Sequence, residues 1–204
     1  MDYLNYSKSV KSDLRIIDNC VPEKEFQKIF EIFMTRTMYW HFDNIVDYDD
    51  DGKFQFTHLF FTSTDGIVSP FWNDLLPIIK PLSAQVFIKA KANLNVRTKN
   101  HEENKFHYDT LFSDSRLKDG TPIGYTAIYY VNTNNGYTLF KDGNYKVDSV
   151  ANRLVIFDST KLHKAVNCTD ERRRIVINFN YLTPHYGTTD QYEKSIKLFN
   201  EANA

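Results

Sequence analysis

The sequence is poor in the features that mark several specialised classes of protein. It has 2 cysteines, Cys20 and Cys168, which stand far apart and lack the close spacing of zinc sites. A disulfide-rich secreted scaffold is therefore not expected. A reduced, cytoplasmic setting is the simplest interpretation, and this means a host's cytoplasm if the source is a virus. The 7 glycines and 6 prolines form neither a repeat nor a low-complexity tract.

An excess of one charge and long apolar runs are also missing. The formal net charge is −1, and 25 basic and 26 acidic residues are mixed along the chain. This argues against a nucleic-acid-binding protein with a strongly basic face. No apolar run approaches the roughly 18 residues that a membrane-spanning helix needs. Residues 1–8 lack the charged-then-apolar order of a signal peptide. Because the charges are balanced and no apolar run is long enough to span a membrane, neither a nucleic acid nor a membrane is an expected partner.

The sequence is rich in aromatic residues and in strand patterns. It contains 16 Phe and 13 Tyr, and 42% of its residues are hydrophobic, which allows a sizeable core and suits β structure. Residues 86–97 alternate between apolar and polar side chains, which predicts a long strand with one buried face. Its polar face is expected to line a cleft, with Asn93 and Asn95 as contacts for a substrate or co-substrate. Further strands are predicted at residues 13–19, 53–61, 105–109, 124–132, 137–140, 145–150, 153–158 and 173–181.

Three helices are predicted to flank these strands. Residues 22–36 place apolar side chains at helical spacing. Ser69 and Pro70 predict the start of a short helix that Pro77 distorts or ends, and Asp190 predicts the start of another. Helices followed by many short strands predict a mainly β protein with flanking helices, built as an antiparallel sandwich or barrel.

The polar stretches between these elements are short enough to be loops of one domain. We expect a single domain over residues 1–204. Its core covers about residues 13–182, and a C-terminal helical extension covers about 188–202.

The first candidate for chemistry is a set of three metal ligands. His107 and Asp109 end the predicted strand 105–109, where residues two apart point to the same side. His163 follows the predicted strand 153–158. Two imidazoles and one carboxylate are the ligands of non-haem iron(II) sites that keep positions open for a co-substrate and O2. A lone His-x-Asp arises easily by chance, so the alternative of an ordinary polar pair is weighed against the features downstream.

The strand 173–181 supplies the second candidate. Its alternation places Arg174 on the face opposite the apolar one, directed into the site, where a guanidinium can bind a carboxylate through two hydrogen bonds. A register slip of one residue would put Arg173 there instead. The phenol of Tyr130, on a neighbouring predicted strand, is a candidate to hydrogen-bond the same carboxylate.

Taken in order, these motifs resemble the iron(II)/2-oxoglutarate dioxygenases, and most of all their prolyl 4-hydroxylase-like branch, which includes small bacterial and phage enzymes. The resemblance covers about residues 13–182. It departs from the family's pattern at Tyr137, where many relatives have a second glycine, and at Val176, where some have a small hydroxylated residue. The motifs that carry the resemblance are His107-x-Asp109, Tyr-Tyr-Val-Asn at 129–132, Gly-Tyr-Thr-Leu-Phe at 136–140, Asn-Arg-Leu-Val-Ile-Phe-Asp at 152–158, His163 and Arg174.

The resemblance implies a double-stranded β-helix, also called a jelly roll. It implies iron(II) bound by His107, Asp109 and His163, and 2-oxoglutarate that chelates the iron and pairs with Arg174, helped by Tyr130. The implied reaction is hydroxylation of a substrate C–H bond with O2 and release of succinate and CO2, with ascorbate as an accessory reductant.

The substrate expected from this resemblance is a prolyl or other side chain of a peptide or protein. A nucleobase or a small metabolite such as a free amino acid stays open, because substrate loops are the least patterned part of the sequence. Two readings without oxygenase activity also stay open. One is a jelly-roll binding module with a non-catalytic metal site. The other is a zinc hydrolase, in which Arg174 would have no purpose.

Overall fold

A computed structural model describes residues 14–35, 37–46, 52–109 and 124–183. In this part of the chain, strands dominate and all strand pairs are antiparallel. The helices are α1 (Glu23–Met34) and the single turn α2 (Leu76–Ile79), with 3₁₀ turns at Trp72–Leu75, Lys80–Leu82 and Asp142–Asn144. The strands are β1 (Leu14–Ile17), β2 (His41–Asp43), β3 (Gln55–Thr62), β4 (Gly66–Ile67), β5 (Val86–Val96), β6 (Gly124–Tyr130), β7 (Tyr137–Phe140), β8 (Tyr145–Asp148), β9 (Arg153–Asp158), β10 (His163–Val166) and β11 (Arg173–Leu182).

The strands form two sheets. The larger has the order β1-β9-β6-β11-β5-β3-β2, with β4 paired to β3, and the smaller has the order β10-β7-β8. Neighbouring strands are often far apart in the sequence, as in a jelly roll and not in a simple meander. The predicted mainly β architecture with flanking helices is confirmed.

The main core lies between α1 and the outer face of the larger sheet. The buried side chains of α1 are Phe26, Ile29 and Phe33, spaced three and four residues apart as on one helical face. The ring of Phe33 packs 6.0 Å from that of Phe60 in β3, centroid to centroid. Helix α1 therefore covers one face of the larger sheet, as its apolar spacing predicts.

A second, smaller core joins the two sheets. The rings of Phe140 in β7 and Phe157 in β9 meet edge to face, with centroids 4.8 Å apart. This core leaves one end of the inter-sheet space to polar side chains. Its buried members are Ile128, Tyr130, Val155, Phe157 and Val176 from the larger sheet and Phe140 and Val147 from the smaller one.

Arg173 links β11 to helix α1. Its Nη2 donates a hydrogen bond to the carbonyl oxygen of Met34 at 2.6 Å. The last carbonyls of a helix lack partners within the helix and favour a cation. Arg173 thus lies on the core side of β11 at the end of α1, which leaves the opposite side to Arg174.

Several predicted boundaries are wrong. Residues 105–109 form no strand but a single bridge at His107, and β2, β4 and β10 were not predicted. The helix expected at Ser69 begins at Trp72, because Ser69 Oγ accepts the Phe71 N–H at 3.2 Å in a turn and not in a helix. Pro77 lies in the first turn of α2, where proline is tolerated, and does not end a helix.

Three further features are the C-terminal segment, the cysteines and the absence of a membrane-spanning helix among the described residues. The helix expected at Asp190 and the extension at 188–202 lie outside the described residues. Cys20 and Cys168 are both free thiols. Among the described segments, no helix combines the length and the apolar character that crossing a bilayer requires.

Candidate metal centre

His107 and His163 are brought together by their backbones. The N–H of His107 donates to the carbonyl of His163 at 2.9 Å, and the N–H of His163 donates to the carbonyl of His107 at 3.1 Å. Residues paired in this way lie directly opposite each other in an antiparallel bridge, with their side chains on the same face. The two imidazole rings are accordingly 4.8 Å apart, centroid to centroid.

The tautomer of each imidazole is fixed by the carbonyl oxygen of the residue two positions earlier in the chain. His107 Nδ1 lies 3.0 Å from the carbonyl oxygen of Lys105, and His163 Nδ1 lies 3.1 Å from that of Lys161. A carbonyl only accepts, so each Nδ1 carries the proton and each Nε2 keeps its lone pair. Such a hydrogen bond to the other ring nitrogen is typical of metal-bound histidines.

Asp109 completes the cluster. Its Oδ1 lies 3.3 Å from His107 Nε2 and 3.5 Å from His163 Nε2. Ligand atoms of the three residues all lie within 4.8 Å of one another. Burial raises the pKa of the Asp109 carboxyl, but His163 and His107 lower it more, so it lies well below its usual range. The carboxylate is therefore ionised.

The three residues fit a divalent metal such as iron(II). They offer two neutral imidazole nitrogens and one carboxylate oxygen, the donor set of iron(II) sites that leave positions open. The side chain of His163 is 4% exposed and that of Asp109 10%, whereas that of His107 is 45% exposed. His107 therefore marks the open mouth of the site.

Asn180, which the sequence alone did not single out, orients the Asp109 carboxylate. Asn180 Nδ2 donates to Asp109 Oδ2 at 3.3 Å and to Thr126 Oγ1 at 3.1 Å. The alternation of β11 places Asn180 on the cleft side, but its partner Asp109 belongs to a different segment. The only signal in the sequence was that Asn180 shares the inward face of β11 with Arg174.

The cluster opens into a cleft between the two sheets. The cleft has a cavity volume of about 110 Å³. Its lining includes the three candidate ligands, Arg174, and inward side chains of β5 and β11.

Arg174 lies deep in this cleft and is 1% exposed. Its Nε donates to Ser149 Oγ at 3.0 Å and its Nη2 to Thr138 Oγ1 at 3.2 Å. No carboxylate of the described residues lies within 4.0 Å of it, and burial lowers the pKa of its guanidinium. A buried cation without an anion is unfavourable, so this position is suited to a bound carboxylate.

Tyr130 lies under Arg174 and not in the lining of the cleft. Its ring centroid is 5.6 Å from Arg174 Cζ, and its hydroxyl donates to Thr138 Oγ1 at 2.8 Å. Thr138 thus accepts hydrogen bonds from both residues and keeps its own proton for a ligand. Thr138 lines the cleft, and sequence reasoning gave it no role.

Gly136 makes room for the guanidinium. A Cβ built at this position would lie 2.8 Å from Arg174 Cδ, from Asn134 Oδ1 and from the carbonyl oxygen of Val166. A side chain there would therefore displace Arg174 or the neighbouring loop. Tyr137, where many relatives of the resembled family have a second glycine, begins β7 without disturbing this contact.

The polar face of β5 lines the cleft, as its alternation predicts. The residues of this face in the lining are Lys89, Lys91, Asn93 and Asn95, whereas Arg97 lies outside it. The structure places Asn95 directly opposite Arg174 on β11. The Oδ1 atoms of Asn93 and Asn178 are buried and have no hydrogen-bond partner among the described residues.

Comparison by sequence returns no relative: no family model matches, and no curated protein matches. Comparison by structure returns many. The chain is similar to the viral collagen prolyl hydroxylase of Paramecium bursaria Chlorella virus-1, solved with 2-oxoglutarate. The TM-score is 0.56 at 12% identity, covering 85% of this chain and 97% of that one.

Two further solved structures that are similar to this chain contain different bound molecules. A prolyl hydroxylase of Trichoplax adhaerens, in complex with a peptide of the hypoxia inducible factor oxygen degradation domain, gives a TM-score of 0.58 at 11% identity and covers 84% of both chains. HygX of Streptomyces hygroscopicus, with nickel, 2-oxoglutarate and hygromycin B, gives 0.55 at 10% identity, covering 85% of this chain and 84% of that one. The chain therefore has the jelly-roll fold that prolyl hydroxylases share with other 2-oxoglutarate-dependent iron(II) oxygenases.

Proposed function

We propose that this chain is an iron(II)- and 2-oxoglutarate-dependent oxygenase that hydroxylates a C–H bond of its substrate. The observation that carries this proposal is Arg174, a buried guanidinium without a carboxylate partner among the described residues, in the same cleft as His107, Asp109 and His163. A metal-dependent hydrolase or a purely structural metal site gives this cation no role. A dicarboxylate co-substrate gives it one, because one carboxylate can reach the metal while the other pairs with Arg174.

The three ligands would hold the iron, and the cleft would hold the co-substrate. Bound there with 2-oxoglutarate and O2, iron(II) supplies the oxidation, in which one oxygen atom enters the substrate C–H bond and the other enters succinate as CO2 leaves. Asp109 offsets part of the charge of the metal, and Asn180 keeps its second oxygen oriented. The two Nδ1–H groups fix the imidazole rings for binding through Nε2.

Arg174 and Thr138 would bind the carboxylate of 2-oxoglutarate farther from the iron. The guanidinium supplies the charge and the Thr138 hydroxyl supplies one more donor. Tyr130 keeps this hydroxyl in place by donating to its oxygen, so we assign it a positioning role. Val176 and Ile128 add apolar walls to the same cleft, which limit access of water to the co-substrate.

The substrate we propose first is a prolyl or other side chain of a peptide or protein. Its support is the fold shared with two prolyl hydroxylases, one of which is bound to a peptide. The second candidate is a small molecule. HygX, with hygromycin B bound, shows that the same fold accommodates such a ligand.

Succinate formation tests the activity. Protein loaded with iron(II) without oxygen receives 2-oxoglutarate, ascorbate and O2, with and without proline-containing peptides, and succinate is measured. We expect succinate from the wild type, none above background from His163→Ala, and wild-type amounts from His41→Ala, which removes an exposed histidine of β2.

Two results would contradict the proposal. One is succinate no higher in the wild type than in His163→Ala, together with no binding of 2-oxoglutarate to the iron-loaded protein. The other is hydrolytic activity that depends on zinc and ignores 2-oxoglutarate, which would assign the site to a hydrolase.

A further inference from the structure

Two lysines lie in the cleft beside the candidate metal ligands. Lys89 and Lys91 are two residues apart on β5, so both side chains point to the cleft side of the sheet. Lys89 is directly opposite Asn180, whose amide donates to Asp109. Lys91 is directly opposite Asn178. Since opposite residues of neighbouring strands have Cβ atoms about 5 Å apart, both lysine side chains start from the part of the sheet that carries Asn180, at the metal end of the cleft.

Neither ammonium group is neutralised by the described residues. No carboxylate of the described residues lies within 4.0 Å of Lys89 or Lys91. Of the described residues that line the cleft, Asp109 alone is acidic. With iron(II), Arg174 and both lysines set against Asp109, the lining stays positive even after the two carboxylates of 2-oxoglutarate are counted.

The surroundings of Lys91 make this excess charge unfavourable without a ligand. Burial lowers the pKa of its ammonium group and Lys89 lowers it further, whereas Asp109 and Asp43 raise it. Asp43 lies outside the lining of the cleft. A bound anion would relieve both the desolvation of the ammonium group and the repulsion between the lysines.

We propose that Lys89 and Lys91 form a second anion-binding position in the cleft, which selects substrates that carry a carboxylate or phosphate group near the C–H bond to be oxidised. This inference rests on the proposed function and adds the class of substrate. The amide oxygens of Asn93 and Asn178, which have no hydrogen-bond partner among the described residues, flank Lys91, one along β5 and one across from it on β11. They can accept hydrogen bonds from N–H or O–H groups of the same ligand.

The competing role for the lysines is to bind 2-oxoglutarate itself. Arg174 makes this role unnecessary, because it lies in the same cleft as a buried cation with no carboxylate within 4.0 Å among the described residues. The register of β5 and β11 separates the two cationic positions: Arg174 is opposite Asn95, and Lys89 is opposite Asn180. Asn180 lies six residue steps from Arg174, which is about 20 Å along the strand at 3.3 Å per residue.

Binding of inorganic phosphate tests the proposal directly. The protein is loaded with manganese(II), which is paramagnetic and prevents turnover, and is saturated with 2-oxoglutarate. The phosphorus relaxation rate of inorganic phosphate is then measured by NMR. We expect a saturable enhancement in the wild type, and an apparent affinity at least about tenfold weaker in the Lys89→Gln/Lys91→Gln double variant.

Two control variants isolate the charge at these positions. Lys89→Arg/Lys91→Arg keeps both charges and should retain phosphate binding. Lys28→Gln removes a lysine on the exposed face of α1 and should match the wild type. The affinity for 2-oxoglutarate should stay within about threefold of the wild type in all variants, which also shows that each variant folds.

The outcomes separate this proposal from the proposed function. If 2-oxoglutarate binds and phosphate binds equally to the wild type and the Gln double variant, phosphate is held elsewhere and the second anion position is overturned. A double variant that loses 2-oxoglutarate as severely as Arg174→Met assigns the lysines to the co-substrate and also overturns it. No 2-oxoglutarate binding by the wild type overturns both proposals.

Turnover with matched substrates then identifies the source of the anion. The iron(II) enzyme is given N-acetylproline or N-acetylprolinamide, and peptides with Glu or Gln beside a proline. Turnover of N-acetylproline at least about tenfold faster than that of N-acetylprolinamide indicates that the substrate is a small organic acid. The same preference for the Glu peptide over the Gln peptide indicates an acidic peptide. Equal turnover of the acidic and neutral members would overturn the proposal.

Discussion

Asn180 and Asp109 are joined by a hydrogen bond of 3.3 Å from Nδ2 to Oδ2, which connects the strand that carries Arg174 to the candidate metal centre. Strand β11 thus contributes to both ends of the cleft. The carboxylate is held by an amide whose other hydrogen bond goes to Thr126 in β6. Strand β11 therefore supports both Asp109 and the position proposed for the co-substrate, whereas His107 and His163 meet in a bridge at the smaller sheet.

Removal of this amide should weaken metal binding. Asn180→Ala leaves Asp109 Oδ2 without its donor, and loss of such supporting contacts lowers metal affinity or activity by about 10- to 100-fold. Competition with a chelator measures the affinity for iron(II) or manganese(II). Asn73→Ala, which removes an exposed amide, should have no effect. An affinity for Asn180→Ala within twofold of the wild type would contradict the assigned role.

Arg174→Met should separate ligand binding from stability. Loss of the guanidinium should weaken 2-oxoglutarate binding by about 100-fold or more. The ligand-free protein should lose less than about 1 kcal/mol of unfolding free energy or become more stable, because a buried cation is replaced by an apolar side chain. Calorimetric titration and urea unfolding measure the two effects. Arg172→Met, on the exposed residue two positions earlier, is the control and should change neither.

Gly136→Ala should damage the co-substrate site without removing any polar group. The new Cβ would lie 2.8 Å from Arg174 Cδ and from two oxygen atoms, so the guanidinium or the loop must shift. We expect weaker 2-oxoglutarate binding and a loss of about 1–3 kcal/mol in stability, as in other overpacked sites. Gly124→Ala meets only the movable Ser159 hydroxyl at 3.0 Å and should be milder. Equal effects of the two substitutions would argue against the assigned contact.

A double-mutant cycle should show that Tyr130 acts through Thr138. Thr138→Val removes the hydroxyl that accepts from both Tyr130 and Arg174, and should weaken 2-oxoglutarate binding by about 1–2 kcal/mol. Tyr130→Phe should have a smaller effect alone and none in the Thr138→Val background. Additive effects would instead indicate a direct contact between Tyr130 and the co-substrate.

His58 should make stability depend on pH. Burial lowers the pKa of His58, an effect that its hydrogen bond to the Tyr39 carbonyl opposes. The unfolded chain therefore takes up a proton below about pH 6.5 that the folded protein resists, so the unfolding free energy falls as the pH falls below that value. Urea unfolding between pH 7 and pH 5 should show a shallower fall for His58→Gln. His41→Gln should reduce the slope by a smaller amount, because the charge of His41 also lowers the pKa of His58.

The sequence by itself determined which side chains face the cleft on the two longest strands. Alternation with period two separates the faces of β5 and β11 without any knowledge of their partners. It correctly placed Asn93 and Asn95 on the inward face of β5 and Arg174 on the inward face of β11. The strand pattern predicted an antiparallel sandwich or barrel, and the resemblance of the ordered motifs to a known family implied the jelly roll.

Only the tertiary structure decided which groups meet across the cleft. His107 and His163 pair through a single bridge that no local pattern predicts, since the flanking residues 105–109 form no strand. The donor to Asp109, the hydroxyl beneath Arg174 and the unneutralised lysines all depend on contacts between segments far apart in the sequence. Periodicity reports the face of a strand. The distance between two faces, and therefore the chemistry of the cleft, is set by the packing of one sheet on the other.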